Sequence, residues 1–125
     1  DQSTGAAGNA FGRETAPLVA RAIGATMLGS RSNEATLGGK RVVIKCAARN
    51  TNSIGVTHLM LGRLHSVVGA FQQPNGSFNV ISLPVTVFIA NQRHSRSQGA
   101  TEGKVGLVSR SVFESKGTEI KTVRI

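Results

Sequence analysis

Two glycine-bearing turns, Gly38-Gly39 and Gln73-Pro74-Asn75-Gly76, each lying between apolar runs, constrain this chain more than any other feature. Glycine, and less readily asparagine, reaches the left-handed backbone that tight hairpins need, so such pairs between strand-like runs specify antiparallel strands. Around the first turn the predicted strands are Glu34–Leu37 and Lys40–Ala47, the second β-branched and buried through its middle. Around the second they are Ser66–Gln72 and residues 77–83, with Asn75-Gly76 supplying the left-handed residues.

The rest of the chain reads less uniquely. Residues 9–24 are predicted helical, because Phe11, Leu18, Val19, Ala22 and Ile23 can share one face and Gly24 is a natural stop. Pro17 is comfortable only in a first turn, so the helix either starts near Thr15, with Glu14 just outside it, or is kinked and starts at Asn9. Residues 1–8, small and Gly-rich, are expected as a flexible lead-in to a single domain over residues 9–125. Residues 56–64 suit a short helix or a strand. Pro84 precedes a run, residues 85–90, that is strand by propensity but also fits a helix opened by proline. Residues 107–113 and 120–125 are short strands or helices separated by a turn at Ser115-Lys116-Gly117. The order implies a mixed α/β (α+β) fold: an N-terminal helix, then a central mixed sheet with two hairpins.

Charge narrows the function. Fifteen Lys and Arg against six Asp and Glu leave a net charge of +9, a field that favours phosphate backbones and other polyanions. The basic residues form no block, so a binding patch must be assembled by folding. Arg31, Lys40, Arg41, Lys45, Arg49, Arg93 and Arg96 are the candidates, with Arg93-His94-Ser95-Arg96 read either as an exposed basic loop or as a solvated turn. Five Phe with no Trp or Tyr supply few stacking platforms for single-stranded bases, which favours backbone contact with duplex DNA. The single cysteine, Cys46, excludes an internal disulfide; as an inert thiol in an apolar run it fits a reducing cytoplasm. No apolar stretch is long enough to span a bilayer, and residues 1–5 lack the basic start and apolar centre of a signal peptide. His58, His65 and His94 with one Cys show no zinc-ligand spacing.

The text Phe11-Gly12-Arg13-Glu14, then Arg31-Ser32-Asn33-Glu34, Gly38-Gly39 and Val42-Val43-Ile44-Lys45 resembles the PD-(D/E)XK nuclease family, the restriction endonuclease-like core. That family has a first helix containing a Glu. A loop and strand bearing an acidic residue follow, then a turn and a second strand carrying (E/Q)-x-K. The resemblance spans about two thirds of the chain. It implies Mg²⁺-dependent cleavage of DNA, in which a carboxylate-held cation polarises the phosphate and a lysine orients the attacking water. Matched by position, Glu34 falls at the metal-binding acid, Lys45 at the catalytic lysine and Glu14 at the accessory acid of the helix. Val43 stands where the second ligand belongs and cannot bind a cation. The resemblance therefore implies a DNA-binding domain whose catalysis is incomplete, with Mg²⁺ required only if it cuts, and with a homodimer as the assembly to test. Read as ordinary structure, Glu34 is a hairpin residue, Lys45 the exposed face of a half-buried strand, and Glu14 an acid favoured near a helix start. A binding module without catalysis, or a structural protein that packs against nucleic acid, fits the same charge.

Overall fold

The computed structural model of the chain describes residues 2–29, 32–94 and 104–125. Helix α1, Gln2–Ile23, is followed by strands β1 (Thr26–Met27), β2 (Glu34–Leu37) and β3 (Lys40–Ala47). Next come β4 (Ser53–Thr57), the single-turn helix α2 (His58–Leu61), β5 (Ser66–Gln72) and β6 (Phe78–Pro84). The chain closes with α3 (Val85–Asn91), β7 (Arg93–His94), β8 (Val105–Ser109), α4 (Arg110–Lys116) and β9 (Thr118–Val123).

Six strands form one sheet in the order β1-β2-β3-β5-β6-β9, and β4-β8-β7 form a second. All pairs are antiparallel except β3 and β5, which run parallel with Val42 opposite Ser66 and Ala47 opposite Phe71. A parallel pair needs a crossover, here β4 and α2, and both faces of such a pair are covered. Strand β3 therefore reads as a nearly unbroken apolar run. Its even-numbered residues Val42 and Ile44 pack with Ala16, Val19 and Ala20 of α1, while Val43 and Ala47 point into a second core with Ile54, Val56, Phe71, Phe88 and Phe113.

Both predicted hairpins form, and so does the N-terminal helix before a mixed sheet. Gly38 and Gly39 both take positive φ, 60° and 78°, as a two-residue hairpin of this type requires. The second turn differs from expectation. Only Gly76 is left-handed, at φ 87°; the Asn75 side chain instead accepts hydrogen bonds from the Ser77 amide (3.0 Å) and hydroxyl (2.7 Å).

Helix α1 takes in the stretch expected as a lead-in and runs through Pro17, so neither Asn9 nor Thr15 is its start. Gly5, Gly8 and Gly12 weaken the helix without ending it, and Pro17 removes only the donor that would reach the Arg13 carbonyl. Burial of Ala16, Val19 and Ala20 holds the helix across that gap.

The ambiguous segments also resolve by packing. Residues 56–64 divide between strand and helix at Thr57, whose hydroxyl accepts from the Met60 amide at 3.3 Å and caps α2. The run after Pro84 is helical, with Phe88 buried and Ile89 left 46% exposed. One buried side chain per turn is a helical pattern, and it overrides the β-propensity of the valines.

Candidate functional site

Glu34 is the first residue of β2 and faces Val43 directly across the β2–β3 ladder. Asn33, just before it, holds a left-handed backbone (φ 56°) that asparagine tolerates better than most residues, and its carbonyl accepts from the Ile44 amide at 2.9 Å. The Glu34 carbonyl accepts from the Leu28 amide at 2.8 Å. These bonds fix the strand start, so the carboxylate sits on the sheet face opposite α1.

Two arginines close on that carboxylate. Arg41, two residues before Val43 on the same face of β3, donates from Nε to Glu34 Oε2 at 3.0 Å. Arg63 makes a two-pronged contact, Nε to Oε2 at 3.0 Å and Nη2 to Oε1 at 2.7 Å. Ser32 donates a further hydrogen bond. Arg63 reaches the site because the crossover returns to the sheet just beyond it: the His65 amide donates to the Arg41 carbonyl at 2.8 Å, and the Val85 amide to the His65 carbonyl at 3.0 Å. The Glu34 side chain is 5% exposed, whereas those of Arg41 and Arg63 are 49% and 44% exposed. The carboxylate is thus covered mainly by its own partners close to the surface.

The Arg63 hydrogen bond, and then that of Ser32 and the charges of both arginines, outweigh desolvation and hold the Glu34 carboxyl at about 2, from an ordinary 4.5. A depressed carboxyl stabilises the fold above its unfolded value and loses that contribution as pH falls through the folded one. Unfolding free energy is expected to fall by about 1–2 kcal/mol between pH 4.5 and pH 2 from this group, after discounting for the half-exposed partners. Urea titrations of the protein and of Glu34→Gln across that range check it; the variant should lose the Glu34 share of the slope.

Lys45 lies one pleat beyond Val43 on the same face of β3, opposite Gly69, which makes it a diagonal neighbour of Glu34 at about 7–8 Å between backbones. Burial pushes its amine below the usual lysine range. Among the described residues the ion pairs are those of Glu34 with Arg41 and Arg63, so no carboxylate answers Lys45. On the other face, burial pushes the half-buried Cys46 thiol up to about 12, which leaves little thiolate at neutral pH.

The structure brings Glu34, Arg41 and Lys45 together, with Lys40 exposed at the head of the same strand. It does not bring Glu14 to them. Glu14 is exposed on α1, which covers the opposite face of the sheet. Arg49 lies at the far end of β3 and spends its guanidinium on the Pro74 carbonyl at 3.4 Å. Arg93 is exposed on β7 in the second sheet, and Arg31 and Arg96 lie outside the described residues. Sequence reasoning missed Arg63, whose role comes only from the crossover. It also missed Arg110, whose Nη2 donates to the carbonyls of Ala48 (3.4 Å) and Thr51 (3.2 Å) while its guanidinium lies 5.1 Å above the Phe71 ring.

These residues do not fit a divalent cation. Mg²⁺ binds through carboxylate and other oxygen donors, and the carboxylate here has both oxygens occupied by guanidinium N–H groups. A cation at Glu34 would sit beside two positive charges, with a buried valine in place of a second ligand. Among the described residues no three His, Cys, Asp or Glu side chains gather into a metal-binding group.

No protein-family model and no curated protein matches the sequence. Among solved structures, the chain is similar to a Holliday junction resolvase from the archaeal hyperthermophile Archaeoglobus fulgidus. The match has 14% identity, covers 90% of this chain and 91% of that one, and has a TM-score of 0.45. No helix among the described residues is long and apolar enough to cross a membrane.

Proposed function

We propose that this chain is a duplex-DNA-binding domain with the element order of a PD-(D/E)XK nuclease and without metal-dependent cleavage at Glu34. The order of helix with Glu14, strand opening on Glu34, Gly38-Gly39 turn and strand carrying Val43-Ile44-Lys45 supports the nuclease-like part of the reading. The net charge of +9 supports a polyanionic partner, and scarce aromatics favour its backbone over its bases. The observation that carries the loss of catalysis is the double guanidinium clamp on Glu34 opposite buried Val43. The half-buried free thiol of Cys46 is in keeping with a reducing cytoplasm.

The test is incubation of supercoiled and linear duplex DNA with the protein in Mg²⁺, Mn²⁺ or EDTA, followed by retention of the same DNA over a salt series. The expected result is no cutting under any condition, with binding whose affinity falls steeply as salt rises. Metal-dependent cutting that disappears in Lys45→Ala would overturn the non-catalytic reading. DNA that is neither cut nor retained at low salt would remove the nucleic-acid reading altogether.

A further inference from the structure

We propose that Arg41 and Arg63, held in place by Glu34, form a seat for one phosphodiester group of the bound DNA backbone. This rests on the DNA-binding reading above and names the contact within it. Arg41 gives only its Nε–H to the carboxylate, and Arg63 gives Nε and Nη2, so N–H donors remain on both guanidiniums. Both side chains are about half exposed while their anchor is buried. Two guanidiniums against one carboxylate leave the cluster positive. Planar guanidinium forks match the geometry of phosphate oxygens.

Fixing two long arginine side chains before binding removes much of the rotamer entropy that a phosphate contact would otherwise cost. Glu34 is the positioning residue. Its carboxyl, held at about 2, stays ionised wherever the protein is folded near neutrality, so the seat does not come apart on mild acidification. The other arginines with assigned contacts differ. Arg49 and Arg110 spend their guanidiniums on backbone carbonyls of neighbouring loops.

The double variant Glu34→Gln with Arg63→Gln tests the seat. It removes one negative and one positive charge, so the net charge stays at +9 and a general field effect cannot account for a change. Fluorescence anisotropy with a short labelled duplex over a NaCl series, beside a thermal melt of each variant, is the measurement. The expected result is a folded variant that binds about tenfold more weakly and whose salt slope is smaller by about one. Arg63→Lys, which keeps the charge and loses the fork, is expected to recover the slope more fully than the affinity.

A folded double variant with unchanged affinity and slope, while the parent protein binds, would overturn the seat and leave the DNA-binding reading standing. If the double variant does not fold, Arg41→Gln leaves the Arg63–Glu34 fork intact and decides the matter, because unchanged binding in that variant also overturns the proposal. Failure of the parent protein itself to bind is a different result and ends both readings.

Discussion

Val43→Glu, which would set a second carboxylate beside Glu34, is expected to lower the unfolding free energy by about 4 kcal/mol or more at neutral pH. Val43 is fully buried and points into the core that holds Val67, Leu83 and Phe113. A carboxylate there loses its hydration inside an apolar core, a cost larger than the attraction of Arg41 and Lys45, its same-face neighbours along β3. Burial raises the new carboxyl's folded pKa. An acid whose folded pKa is raised costs nothing below its unfolded value of about 4.3, and its penalty grows as pH rises from there to the folded value. Urea unfolding at pH 4 and at pH 7.5 reads this directly. The variant should lie closer to the parent protein at the lower pH, and an equal gap at both would show that lost packing alone is responsible. Mg²⁺ is not expected to restore the loss, since the Glu34 oxygens are already engaged by Arg41 and Arg63.

Phe113→Ala is the second large effect, about 3–5 kcal/mol of lost stability. The Phe113 ring is fully buried and meets Phe71 edge-on at 5.2 Å and Phe88 at 6.3 Å between centroids. It joins α4 to β5 at the point where Gly69 leaves room for it: a Cβ on Gly69 would lie 2.7 Å from the Phe71 ring and 3.1 Å from that of Phe113. Removing the ring leaves a cavity under the parallel strand pair, with no flexible side chain at Gly69 to fill it. Chemical unfolding monitored by circular dichroism measures the loss. A cycle with Phe71→Ala is expected to show that the two losses fall short of additivity by about 0.5–1.5 kcal/mol, the contribution of the ring–ring contact.

Part of the site was readable because its determinants are local. Glu34, Gly38-Gly39, Val43 and Lys45 lie within one hairpin, so turn chemistry and alternation place them on known faces once the hairpin is recognised. From those residues alone, it follows that Glu34 and Val43 share one face of the hairpin. The partner of Glu34 was not readable in the same way. Arg63 is 29 residues away in sequence and arrives through a crossover whose residues 56–64 suited either a short helix or a strand. Glu14 is the opposite case: the text placed it on the first helix, and the helix that carries it packs on the other face of the sheet.

The segments misread or left open share one cause. The Pro84 run and residues 56–64 have strand-like propensities, and only the three-dimensional packing of Phe88 and Leu61 decides that part of each is helical. Asn75 is similar: its type permits a left-handed backbone, yet the site for its side chain is the amide and hydroxyl of Ser77.

By itself, then, the chain's text determined two hairpins, an N-terminal helix and a strongly positive field, because turn residues, periodicity and net charge act over short range or as sums. Only the tertiary structure decided that the one acid in that hairpin is taken up by two arginines. A charge brought by a parallel crossover leaves no local trace, and whether a carboxylate binds a cation or a guanidinium depends on what the fold sets beside it.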